Sequence, residues 1–262
     1  MIFSVENGQF DYGERKILQN INFSLRDREV LTVLGPNGVG KTTLLKCMMG
    51  LLRWNEGRTL LDGIPLNEMK TADIWRRIAY VPQSKVTALS YTAFEMVLMG
   101  RSARLGLFAQ PAKEDYRIAE EAMDQVGITH LANKNCSRIS GGELQMVLIA
   151  RALSTCPEML ILDEPESNLD FKNQLIVLET IQRLSKEQGI AAIVNTHYPA
   201  HALKIGDKAL LLNYNGNCQF GDVRQIVSEE NMGEAFHVEV KIMDFLYKNQ
   251  THKGVIPISI LA

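Results

Sequence analysis

The sequence predicts an α/β fold: a mainly parallel sheet flanked by helices, with an N-terminal antiparallel β subdomain and an inserted α-helical subdomain. Three observations predict it. Short apolar runs such as Ile78–Val81, Met159–Leu162 and Lys208–Leu212 alternate with helix-length segments, the pattern of a sheet buried on both faces. Near the N-terminus, apolar and polar residues alternate (Phe3, Val5, then Ile21, Phe23, Leu25), as in short antiparallel strands. The stretch Thr92–Ser154 instead carries Met-, Leu- and Ala-rich helical segments, broken at Gly100, Pro111, Gly127 and Gly141.

Taken in order, Glu29–Leu34 is a compact strand ending in glycine, and Lys41–Leu52 reads as a helix. Ile78–Val81 is a strand closed by Pro82. After the helical block come a strand (Met159–Leu162), a helix (Phe171–Gln188), a strand (Ile190–Asn195), a helix (Pro199–Ile205) and a strand (Lys208–Leu212). The expected organisation is one domain over 1–230 with the helical insertion at about 84–155, followed by a short tail over 231–262 with weak signals.

With 46% hydrophobic residues, the 262-residue chain can bury a proper core. Its net charge of −2 argues against a general nucleic-acid binder, which would carry a basic excess. No apolar run approaches the ~18 residues of a membrane span. The N-terminus, MIFSVENGQF, lacks the charged-then-apolar pattern of a signal peptide, so none is expected. Cys47, Cys136, Cys156 and Cys218 form no CxxC pair, so four reduced, mostly buried thiols are expected.

Gly35-Pro36-Asn37-Gly38-Val39-Gly40-Lys41-Thr42 fits G-x-x-x-x-G-K-[ST]. Phosphates need several backbone N–H donors converging on one point, and glycines let the chain curl and approach that closely. The helix that follows presents its positive end to the anion. Lys41 is expected to reach the β- and γ-phosphates, Thr42 to bind Mg²⁺ and Thr43 to contact the α-phosphate. A strand before and a helix after complete the required context.

The strand Met159–Leu162 runs into Asp163 and Glu164. A buried strand fixes Asp163, which can then hold Mg²⁺ through water. Glu164, one residue on, can polarise an attacking water as general base. Ser140-Gly141-Gly142-Glu143 opens the helix Leu144–Leu153, which is both a second anion site and what an ordinary capped helix looks like. Gln83 and His197 each follow an apolar strand, at the strand ends where open α/β sheets bind ligands.

The order of these pieces is the strongest signal, and over about residues 3–227 the chain resembles the ATP-binding cassette (ABC) ATPases, which have a P-loop NTPase core. The resemblance implies ATP and Mg²⁺ as cofactors. It makes Gly35–Thr43 the Walker A loop and Gln83 the Q-loop residue that ligates Mg²⁺ and senses membrane subunits. Ile139–Glu143 becomes the signature motif, Asp163 the Walker B aspartate and Glu164 the catalytic base. Ser167–Asp170 becomes the D-loop, with Asp170 contacting nucleotide, His197 the switch histidine and Tyr12 the aromatic that stacks on adenine. Three departures stand out: Ile139 and Glu143 where the family usually has Leu and Gln, Met146 where arginine is common, and Glu166 where threonine is usual. None removes a catalytic group.

The resemblance further implies a dimer of two copies, each signature helix completing the other's site. It implies separate transmembrane permease subunits and, indirectly, a substrate-binding protein, at the cytoplasmic face of the membrane, with no nucleic acid. The Val97-Leu98-Met99-Gly100-Arg101 run, followed by Leu107-Phe108, resembles importers of iron–siderophore, haem and cobalamin, and molybdate and tungstate importers look similar. An efflux ATPase and a soluble ABC ATPase are further alternatives. Exposed residues between Gln83 and Phe108 are expected to receive the permease. By its residues alone, the same run reads as a helix end with a glycine C-cap at Gly100.

Overall fold

The computed structural model describes residues 1–83, 90–105 and 109–261. It divides into two units, Met1–Glu68 with Ile193–Ala262, and Met69–Ala192.

In the first unit, β1 (Ile2–Tyr12) and β2 (Arg15–Arg26) pair antiparallel and are longer than the short strands expected. β4 (Glu56–Leu61) pairs with β1, and β5 (Ile64–Pro65) completes the four-stranded order β2-β1-β4-β5. β3 (Val30–Leu34) is buried along its whole length and feeds α1 (Lys41–Met48). That helix stops short of the expected Leu52. Gly50 has φ of +72°, the left-handed conformation that ends a helix. β3 pairs in parallel with β9 (Lys208–Leu212), and β10 (Cys218–Asp222) adds antiparallel to β9. α7 (Pro199–Ile205) packs with β3.

The tail over 231–262, whose sequence signals are weak, is ordered along with the segment that leads into it. Together they form α8 (Val223–Ile226), α9 (Glu229–Phe236) and an antiparallel hairpin of β11 (Val238–Tyr247) and β12 (Gln250–Ile260). Val238, Val240, Ile242 and Val255 pack on a buried cluster that includes Ala202, Leu211, Ile226 and Met232. The far end of the hairpin leaves Met243, Phe245, Leu246 and Tyr247 exposed.

In the second unit, β6 (Ile78–Val81) and β7 (Met159–Asp163) are parallel neighbours with Tyr80 opposite Ile161. α2 (Thr71–Arg77) precedes β6, and α6 (Phe171–Gln188) follows β7. β8 (Ala191–Asn195) begins in this unit and ends in the first. The helical block holds α3 (Ala93–Leu98), α4 (Lys113–Gln125) and α5 (Gly141–Leu153).

Gly100 is not the left-handed cap its sequence context implied. It lies in a 3-10 turn over Met99–Ala103 and is absent from the positive-φ glycines. A Cβ there would stand 2.1 Å from the Arg151 carbonyl oxygen and 2.2 Å from Ser154 Oγ, so close backbone approach to α5 requires the glycine. The same turn buries Arg101 at 7% exposure. Its Nε donates to Asp115 Oδ1 at 2.8 Å and its Nη1 to the Ser154 carbonyl at 2.7 Å. Of the cysteines, Cys47 and Cys136 are buried, but Cys218 is half-buried and Cys156 exposed, so the thiols are less uniformly buried than expected. Burial pushes the Cys47 thiol up to about 12.

Hydrogen bonds from Arg101 and from the Ala112 N–H hold the Asp115 carboxyl below its usual range. A depressed carboxyl stabilises the fold above its unfolded value, near 4, and that contribution is lost as pH falls through the folded value. Asp115→Asn, which strands a buried guanidinium, is expected to cost about 3 kcal/mol at pH 7. The difference from the native chain should shrink toward pH 3, which urea unfolding at the two pH values measures.

Candidate functional site

The first unit carries the phosphate loop. Its backbone adopts φ of +145° at Gly35, +77° at Gly38 and +112° at Gly40, values that side-chain-bearing residues rarely adopt. Space closes two of these positions as well. A Cβ on Gly35 would meet the Leu212 carbonyl oxygen at 2.7 Å, and one on Gly40 would meet Ile17 Cγ2 at 2.8 Å. Pro36 and Val39 are buried and anchor the loop, whereas Asn37 and Gly38 are exposed at its tip.

Lys41, the first residue of α1, is only 5% exposed. A buried ammonium needs acceptors, and its Nζ donates to the Gly35 carbonyl at 2.7 Å and the Pro36 carbonyl at 2.9 Å. The loop is thereby curled around a cation at the N-terminal end of a helix, an arrangement suited to an anion. Thr42 is exposed and Thr43 half-buried on the same helix.

Two more of the expected residues belong to this unit. The buried Thr196 donates its N–H to the Val33 carbonyl at 3.1 Å, which sets the half-buried His197 beside the strand that feeds the loop. Tyr12, at the end of β1, is 53% exposed, so it is not a core aromatic. Its ring packs edge-to-face with that of Phe10, with centroids 4.8 Å apart at 86°.

The second unit carries the acids. β7 is buried throughout, and Asp163 at its end is 7% exposed. Tyr80 Oη donates to Asp163 Oδ2 at 3.2 Å. This tyrosine was missed in the sequence, where its only mark is a hydroxyl inside the apolar run Ile78–Val81. Burial first, then the neighbouring Asp163 charge, pushes its phenol up to about 12, so it remains a donor at neutral pH.

Glu164 has φ of +49°, an uncommon and strained value for a residue with a side chain. Its Oε2 accepts from Gln83 Nε2 at 3.2 Å and from Ser167 Oγ at 3.1 Å. Gln83, beyond the end of β6, thus bonds an acid beyond the end of β7. Of the departures from the family pattern, Glu166 is fully buried and Met146 is a core residue.

Ser140 caps α5 in a reciprocal box. Its Oγ accepts from the Glu143 N–H at 3.2 Å, and Glu143 Oε2 accepts from the Ser140 N–H at 2.8 Å. The capped-helix reading is thus met, and Glu143 has a local reason to be an acid. Ser140 and Gly141 are exposed, while Gly142 is buried where a Cβ would stand 2.4 Å from Asn173 Cγ. Asp170 caps α6 by accepting the Asn173 N–H at 2.8 Å.

Among the described residues, no cluster of three or more His, Cys, Asp or Glu could cage a metal. The available donors are hard oxygens: the Thr42 hydroxyl, the Asp163 carboxylate and the amide oxygen of Gln83. Thr42 stands in the first unit and Gln83 and Asp163 in the second; by donor chemistry each suits Mg²⁺, which takes hard oxygens and usually one or two carboxylates together with substrate phosphates. Leu107, Phe108 and part of the stretch from Gln83 to Phe108 lie outside the described residues.

The family model "ABC transporter" matches residues 18–167. The molybdate import ATP-binding protein MolC of Haemophilus influenzae is 36% identical over 97% of this chain and 96% of its own length. The iron(3+)-hydroxamate import ATP-binding protein FhuC of Bacillus subtilis is 32% identical over 92% and 89%. Among solved structures, an inward-facing ABC transporter assigned to the metal-chelate type superposes with a TM-score of 0.88 at 35% identity, covering 98% of this chain and 97% of that one. No helix among the described residues is long and apolar enough to cross a membrane.

Base–aromatic stacking is worth about 1–3 kcal/mol by alanine substitution. Tyr12→Ala is therefore expected to raise the dissociation constant for a fluorescent adenine nucleotide about tenfold, with Tyr12→Phe close to the native chain.

Proposed function

This chain belongs to the ABC transporter family, and we propose that it energises import of a metal chelate of the iron–siderophore, haem or cobalamin type. It is the ATP-hydrolysing subunit of an ABC importer. The observation that carries the chelate reading is the near-complete match to the metal-chelate type transporter, over 98% of this chain. A second reading, import of molybdate or tungstate, is favoured by the relative MolC, matched over 97% of this chain.

In the proposed mechanism, two copies sandwich two nucleotides, and Ser140–Gly142 of one copy completes the site of the other. Tyr12 stacks on adenine, and the backbone of Gly35–Thr43 donates to the phosphates. Lys41, whose ammonium bonds the loop carbonyls, turns to the β- and γ-phosphate oxygens and offsets the charge they carry. When bound, Mg²⁺ neutralises phosphate charge, and Thr42, Gln83 and Asp163 are the residues that would hold it. Glu164 takes the proton of the attacking water, its carboxylate kept in place by Gln83 and Ser167. His197 contacts the γ-phosphate, and Asp170 contributes at the border between copies. Gln83, bonded to the general base, reports to the permease, which holds the subunit at the cytoplasmic face of the membrane. A substrate-binding protein supplies the solute outside.

Two measurements test this. With its co-purified permease and binding protein in liposomes, the chain should drive ATP-dependent uptake of a labelled ferric chelate. Uptake of labelled molybdate alone would select the second reading, and uptake of neither would overturn both. Glu164→Gln should cut hydrolysis by roughly 10²–10⁴-fold while retaining nucleotide, and should elute as an ATP-bound dimer on size exclusion. A Glu164→Gln chain that stays monomeric with saturating ATP, Mg²⁺ and partners would remove the sandwich.

A further inference from the structure

Each acid at the end of β7 accepts a hydrogen bond from the β6 segment beside it. β6 supplies a donor to the first acid through Tyr80, and the residue two places beyond that strand, Gln83, supplies one to the second. The register explains the first contact. Tyr80 lies opposite Ile161 in the parallel pair, and Asp163 is two residues further along the same face of β7. Two residues of strand span about 6.6 Å, a distance that a phenol bridges and that serine, threonine or asparagine does not. Asp163 is 7% exposed, so little water is available to replace a lost donor.

We propose that Tyr80 is a positioning residue for Asp163: its hydroxyl fixes the carboxylate plane and thereby sets the affinity for the divalent cation that accompanies the nucleotide. The inference rests on the reading of Asp163 as a residue that holds Mg²⁺. Groups that orient a metal-binding side chain typically change metal affinity 10–100-fold when removed. Tyr80→Phe keeps the ring and its packing and deletes only the donor.

The test uses the full-length chain with a non-hydrolysable ATP analogue and Mn²⁺, whose binding is followed by electron paramagnetic resonance. Tyr80→Phe should raise the Mn²⁺ half-saturation about tenfold and leave nucleotide affinity in EDTA unchanged. In an Asp163→Asn background, the same Tyr80→Phe change should shift Mn²⁺ binding by less than about twofold, because the two residues act as one unit. An unchanged half-saturation in Tyr80→Phe overturns the proposal. So does an equal loss in both backgrounds, which would mean that the tyrosine acts on the fold at large. If Asp163→Asn itself binds Mn²⁺ as the native chain does, the reading of Asp163 fails and the proposal falls with it.

Discussion

Strands β3, β7 and β8 are buried at every residue, and this constraint governs where chemistry can appear. No polar side chain can be used along such a strand without a partner, so functional groups are pushed to the points where the strands run out. Leu34 gives way to the phosphate loop, Leu162 to Asp163 and Glu164, and Asn195 to Thr196 and His197. The hydrophobic cost of displacing these strands, at about 25 cal/mol per Å² of apolar surface, keeps the exit points rigid. Loops alone would not hold a buried ammonium or a strained acid in place.

That rigidity explains how much was legible. Segments bounded by turn residues carry their own limits, so the strands Ile78–Val81 and Lys208–Leu212 and the helices Phe171–Gln188 and Pro199–Ile205 fall at the expected residues. The phosphate loop was legible because Gly35 and Gly40 are demanded twice, by backbone conformation and by close approach. Elements with a one-sided burden were not. β4 buries only its last three residues, and α2 buries only Ile74, so neither shows a period. The β11–β12 hairpin turns much of its apolar content outward, which breaks the inside–outside pattern that announces a strand.

Within the candidate site, residue types were easier to read than partnerships. Gln83 and Glu164 were both expected, and their hydrogen bond follows from sheet order. Tyr80 was invisible because its contact depends on register between two strands whose paired residues are 81 apart in sequence, and no local pattern encodes that. Gly100 shows the converse. Its place after a helix resembled a cap, yet the reason for a glycine lies in the carbonyl of Arg151 on another helix.

The left-handed backbone at Glu164 has a consequence for how this chain could be improved. A non-glycine residue in that conformation costs on the order of 1–2 kcal/mol, and glycine or asparagine would sit there more comfortably. Selection for heat resistance alone would therefore favour replacing the acid at this position. A thermostabilised variant that keeps the acid should be sought among surface positions that leave this one peptide strained.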